Sequence, residues 1–194
     1  MLSSIFLQGQ VTSDFSSDKT SGCSPLVVIF SDLSTGSPTS WNWNLGNGNN
    51  SSIQNPGATY VTPGTYTVTL TVTNGGFNDT ETKTAYITVF ANPVADLSGT
   101  PNSGCLPLSV SFSDVSTPGT GAINQWFWDF GDGFNSAQQN PTHIYSSPGN
   151  YSVSLNITDV NGCNNFTSEA SYVDAFNGPT ANFSAATTTS CVTP

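Results

Sequence analysis

"NPTHIYSSPGNYSVSLNIT", residues 140–158, alternates with a period of two once it has passed its Pro-Gly pair. Tyr151, Val153, Leu155 and Ile157 point one way and Ser152, Ser154 and Asn156 the other, which predicts a strand with one face buried and one in water. The same design occurs at 55–73, "NPGATYVTPGTYTVTLTVT", where Tyr66, Val68, Leu70 and Val72 alternate with Thr67, Thr69 and Thr71. A Pro-Gly pair sets a turn just before each strand. No stretch carries the spacing of an amphipathic helix, so the chain is expected to be all-β.

Working outward, the chain repeats itself. "SGCSPLVVIFSDLST" at 21–35 returns as "SGCLPLSVSFSDVST" at 103–117, and "WNWNLGNG" at 41–48 returns as "WFWDFGDG" at 126–133. The first pair is offset by 82 positions and the second by 85, which leaves a three-residue insertion in "PGTGAINQ", residues 118–125, read as a loop. Each unit holds several short strands with turn signals roughly every ten residues, the pattern of a β-sandwich. The expected organisation is one sandwich over 11–90, a second over 91–177, and the opening of a third over 178–194. Residues 1–10 are apolar at Ile5, Phe6 and Leu7, and are read as a signal-peptide remnant or a disordered N-terminus.

"WDFGDG", residues 128–133, sets two carboxylates in a glycine turn and poses the question of chemistry. Alternation places Trp126 and Trp128 on one face with Phe127 opposite, and Phe130 (Leu45 in the first unit) continues the tryptophan face. Gly131 and Gly133 suit backbone angles that only glycine adopts cheaply, and an Asp in such a turn accepts bonds from nearby amides. The first unit has Asn44 and Asn47 where the second has Asp129 and Asp132. Asparagine keeps a turn's hydrogen bonds but cannot shuttle a proton, so the corner is expected to be structural. Trp43, Gly46 and Gly48 would serve it in the first unit, and Trp128, Asp129, Gly131, Asp132 and Gly133 in the second. Asp132 with nearby carbonyls is a weaker candidate for calcium, which takes oxygen ligands; otherwise no cofactor is expected.

"WDFGDG" followed by "NPTHIY" and "PGNYSVSLNITD" resembles the PKD domain, an immunoglobulin-like β-sandwich. The resemblance covers roughly 11–90 and 92–176, with residues 178–194 opening a further copy, and the first unit departs from it by its Asn substitutions. It implies tandem immunoglobulin-like sandwiches in a secreted or cell-surface protein. The form with "SGC" before its next strand resembles the tandem units of long surface adhesins of gliding bacteria exported by the type IX route, and also units that accompany secreted proteases and polysaccharide-degrading enzymes.

In the oxidising compartment this implies, Cys105 and Cys163 of the second unit are expected to pair. Cys23 then has no local partner and is left buried, free or joined to another chain, and Cys191 is its counterpart in the third unit. No Cys-x-x-Cys or His pair points to zinc. His143, the single histidine, is read as a loop residue because the first unit has Ala58 there.

Net charge is −10, from twelve Asp and Glu against Lys19 and Lys83, and there is no Arg. Nucleic acid and anionic membrane surfaces are therefore excluded as partners, and no segment approaches the length of an apolar membrane span. No nucleophile elbow or phosphate loop occurs. The sequence reads as a non-catalytic extracellular spacer of an adhesin, partnered by further repeats of its own polypeptide. The alternatives are a carbohydrate- or protein-binding accessory module of a secreted hydrolase, using exposed aromatics such as Phe77, Phe134 or Phe166, or a subunit of an extracellular filament.

Overall fold

The computed structural model describes residues 10–180 and 182; the expected signal remnant and most of the third repeat, Cys191 included, lie outside the described residues. Every regular element among the described residues is a β-strand, and among these residues no helix is long and apolar enough to cross a membrane.

The first module runs through β1 (Phe15–Ser17), β2 (Ser21–Cys23), β3 (Leu26–Asp32), β4 (Ser40–Asn44), β5 (Asn50–Ser51), β6 (Gly57–Tyr60), β7 (Gly64–Asn74) and β8 (Phe77–Phe90). The second repeats the series as β9 (Leu97–Thr100), β10 (Ser103–Cys105), β11 (Leu108–Asp114), β12 (Ile123–Asp129), β13 (Asn135–Ser136), β14 (Thr142–Tyr145), β15 (Gly149–Asp159) and β16 (Asn164–Phe176). Each module has a three-stranded sheet, β1-β3-β6 or β14-β11-β9, and a five-stranded one, β2-β8-β7-β4-β5 or β10-β16-β15-β12-β13.

The alternation read from sequence fixes which side chains face inward. Leu26, Val28 and Phe30 of β3 are buried while Val27 and Ile29 are exposed, and β11 buries Leu108, Val110 and Phe112 with its serines outside. Val68, Leu70 and Val72 of β7 meet this layer from the opposite sheet, as do Val153, Leu155 and Ile157 of β15. On the outer face of β7 the threonines pair across strands, Thr69 with Thr82 at 3.1 Å and Thr71 with Thr80 at 2.8 Å. Such cross-strand pairs add a few tenths of a kcal/mol each, up to about 1.

One strand pairing sets the position of the cysteines. β2 leaves the β1 sheet and runs parallel to the end of β8, with Cys23 opposite Phe90. β10 does the same with β16, placing Cys105 opposite Phe176. Cys163 sits at the other end of β16, in the turn just before Asn164. That strand has 13 residues, so at about 3.3 Å per residue the two positions stand roughly 40 Å apart, whereas a disulfide needs Cα atoms within about 7 Å. The expected Cys105–Cys163 bond is therefore corrected: Cys163 is bonded to Cys23, with Cα atoms 5.5 Å apart, across 140 positions of sequence. Cys105 is exposed and without a disulfide among the described residues.

Candidate functional site

Trp43 and Trp128 are fully buried between the sheets, while Phe127 on the opposite face is exposed. Burying an indole removes on the order of 200 Å² from water, roughly 5 kcal/mol at 25 cal/mol per Å². The first tryptophan of each pair, Trp41 or Trp126, is half-buried and tied to a carboxylate. Trp41 Nε1 donates to Asp32 Oδ2 at 2.6 Å and Trp126 Nε1 to Asp114 Oδ2 at 2.7 Å. Burial works against the charged forms of Asp32 and Asp114. Hydrogen bonds from Ser34, Gln54 and Trp41 in one case, and Ser116, Trp126 and Gln139 in the other, outweigh it and hold both carboxyls below the usual range.

The corner after these tryptophans has the same wiring in both modules despite its different side chains. Asp129 Oδ1 accepts from Gly131 N at 2.9 Å, as Asn44 Oδ1 does from Gly46 N at 2.9 Å. Asp132 Oδ1 accepts from Phe134 N, and Asn47 Oδ1 from Asn49 N. Gly131 and Gly46 have φ of 80° and 77°, and a Cβ on either would come within 2.3 Å of a carbonyl oxygen in the facing strand, Ser152 O or Thr67 O. The buried hydroxyls of Tyr145 and Tyr60 donate to Phe130 O and Leu45 O and close the corner from β14 and β6. Burial, with Tyr66 nearby, pushes the Tyr60 pKa up to about 12. Burial and the Asp132 charge push that of Tyr145 upward as well.

Both oxygens of Asp132 are thus committed, since Oδ2 lies 2.8 Å from His143 Nε2. Among the described residues, no group of three His, Cys, Asp or Glu side chains capable of holding a metal occurs. His143 itself belongs to β14 and not to a loop. Its ring stacks on Phe130 at 4.2 Å between centroids and meets the edge of Tyr145, where the first module has the smaller Ala58. The shallow groove beside this corner is lined by Asp132, Phe134, Ile144, Ser146, Ser147 and Tyr151, and neither tryptophan nor Asp129 reaches it.

Sequence reasoning missed a second site, the junction between modules. Cys23 at the exit end of the first module is bonded to Cys163 at the entry end of the second. Asp159 Oδ1 shapes the turn by accepting from Asn161 N at 2.9 Å and Cys163 N at 2.8 Å, and this holds the buried Cys163 toward its partner. The inserted segment 118–125 reaches the connector. Thr120 N donates to Ala91 O and Ala91 N to Thr120 Oγ1, while Asn92 Nδ2 donates to Ser24 O at 2.6 Å. Val160 N donates to Ala122 O, so the same insertion touches the cysteine turn. A Cβ on Gly119 would lie 2.1 Å from Ala91 O, and one on Gly121 would strike Asp159 and Asn161. The two glycines of the insertion are what let it lie between connector and turn. The one signal in the sequence was that insertion, present in the second unit and absent from the first.

The class so defined is a tandem pair of immunoglobulin-like β-sandwiches. The family model described as "PKD domain" matches twice, over residues 12–89 and 90–173, and the chain belongs to that family. A microbial collagenase of Vibrio alginolyticus is 53% identical over 55 residues, 28% of this chain and 7% of the relative. Collagenase ColA of Bacillus cereus is 38% identical over 63 residues, 32% of this chain and again 7% of the relative. The chain therefore matches only a small fraction of the length of these relatives. Among solved structures, the PKD1 domain of the Vibrio cholerae metalloprotease PrtV is 34% identical, covering 43% of this chain and 98% of that one, with a TM-score of 0.38.

Proposed function

We propose that the chain is a non-catalytic extracellular spacer, a stalk segment of a large cell-surface or secreted adhesin whose nearest partners are further repeats of the same polypeptide. The observation that carries this reading is the disulfide tying the exit end of one module to the entry end of the next. A bond placed there resists splaying at the joint and transmits tension along the array, which neither catalysis nor isolated folding of a module requires. A disulfide also belongs to an oxidising compartment, which supports a location outside the cell. The corner residues act as architecture and need no cofactor. Adhesins of gliding bacteria exported by the type IX route fit this reading.

Small-angle scattering tests it. Two sandwiches end to end, each roughly 40 Å long by its longest strands, would give a radius of gyration of about 25 Å. A compact particle of this chain length would give about 16 Å, and that value would overturn the spacer reading.

A specific observation favours a second reading, an accessory module of a secreted hydrolase. Phe127 and Phe166 are exposed on the outer face of the five-stranded sheet and flank Asn156 in adjacent strands, where the first module has Asn42, Thr71 and Thr80. An aromatic pair on a flat face offers stacking surface to a sugar or a protein strand. Its support also includes the collagenases among the relatives. Saturable binding of the chain to polysaccharide or collagen, abolished by Phe127→Ser with Phe166→Ser, would establish it in place of the spacer.

A further inference from the structure

The exit end of the second module reproduces that of the first. Ser103, Gly104 and Cys105 lie opposite Asp174, Ala175 and Phe176 in parallel register, as Ser21, Gly22 and Cys23 lie opposite Thr88, Val89 and Phe90. The residue after each cysteine donates its amide to the last strand at the same distance, Leu106 N to Phe176 O and Ser24 N to Phe90 O, both 2.9 Å. The glycine before each cysteine abuts a leucine, Leu108 or Leu26. Cys105 therefore occupies the place in which Cys23 is bonded, and its own side is open to solvent.

The sequence that follows has the same spacing as the first connector. From Phe90 to Leu97 and from Phe176 to Phe183 is seven positions, with Pro93 and Pro179 at matching places, and the next cysteine, Cys105 or Cys191, comes eight further on. A module built on that connector would present its own hairpin turn to Cys105, as the second module presents Cys163 to Cys23.

We propose that Cys105 is one half of a second inter-module disulfide, joined to the turn cysteine of the repeat that follows Phe176. The bond from the "SGC" strand of one module to the hairpin turn of the next thus recurs along the array. This rests on the spacer reading, but scattering decides that reading independently of how the cysteines map. The partner must carry a cysteine in a turn like Asp159–Cys163, where an Asp carboxylate organises the backbone. The chemistry is thiol–disulfide exchange with a small disulfide oxidant. One thiolate attacks the oxidant and releases one reduced thiol, and the second thiolate then displaces the other. Two protein thiols and one oxidant disulfide become one protein disulfide and two small thiols.

The test extends the natural chain: residues 1–177 followed by a second copy of residues 92–177, refolded with oxidised glutathione, alkylated and mapped as non-reduced peptides. The expected products are Cys23–Cys163 and a cross-link from Cys105 to the turn cysteine of the added copy, with one alkylated thiol at the copy's "SGC". Cys105→Ser should raise the alkylated thiols from one to two by releasing that turn cysteine. Formation of Cys23–Cys163 in the same molecules reports that folding and oxidation succeeded. Alkylation of Cys105 in those molecules, or its pairing with the copy's "SGC" cysteine, would overturn the proposal.

Discussion

Replacing Gly131 by Ala probes the corner at its tightest point. With φ at 80°, a Cβ there costs about 1–2 kcal/mol in backbone conformation alone. The same Cβ would sit 2.3 Å from Ser152 O, far inside contact distance and against backbone that cannot rotate away. Forcing β15 to shift adds roughly 1–3 kcal/mol, for a total of about 2–5. Gly133→Ala is the internal control. Its φ is 93°, but nothing lies within 4 Å of the added carbon, so only the conformational cost of about 1–2 kcal/mol applies. Urea unfolding followed by tryptophan fluorescence should show Gly131→Ala destabilising the module by roughly 1–3 kcal/mol more than Gly133→Ala. Gly46→Ala should repeat the larger effect in the first module, where the approach to Thr67 O is equally close. Equal costs for Gly131→Ala and Gly133→Ala would refute the close-approach argument.

Two further outcomes are expected. Changing Asp129 to Asn reproduces the wiring that Asn44 already has in the first module, so the melting transition should move by the equivalent of less than about 1 kcal/mol, as differential scanning calorimetry would show. Asp32 and Asp114 have carboxyls held below their ordinary value of 3.8 in the folded chain. Their contribution is therefore full above that value and is lost as pH falls below it. Melting curves measured from pH 6 down to 2 should decline only in the acid range, and Asp32→Asn with Asp114→Asn should flatten that decline.

The strands were legible because alternation is a local property. Tyr151 to Ile157 shows its buried face without reference to anything else in the chain, and the Asn-for-Asp exchange between units showed that the corner turns without carboxylates. His143 was misread because an imidazole does not count as apolar in such a pattern. Its role depends on Phe130 and Tyr145, which only the fold brings together. The cysteine pairing was hidden for a different reason. Cys105 and Cys163 share a unit in sequence, but the parallel pairing of β10 with the far end of β16 separates them by a strand's length. That short parallel pairing leaves no periodic trace. Residues 118–125 read as a loop, and nothing local in them shows that Thr120 and Ala122 hold the connector and the cysteine turn.

Pulling the chain by its ends in a single-molecule force experiment measures most directly whether successive modules are covalently tied into a load-bearing stalk. The disulfide spans 140 positions, and at about 3.6 Å per extended residue it withholds roughly 500 Å of contour length. The account predicts that full unfolding under oxidising conditions falls short of that under reducing conditions by this amount. Equal contour lengths in the two conditions would contradict it.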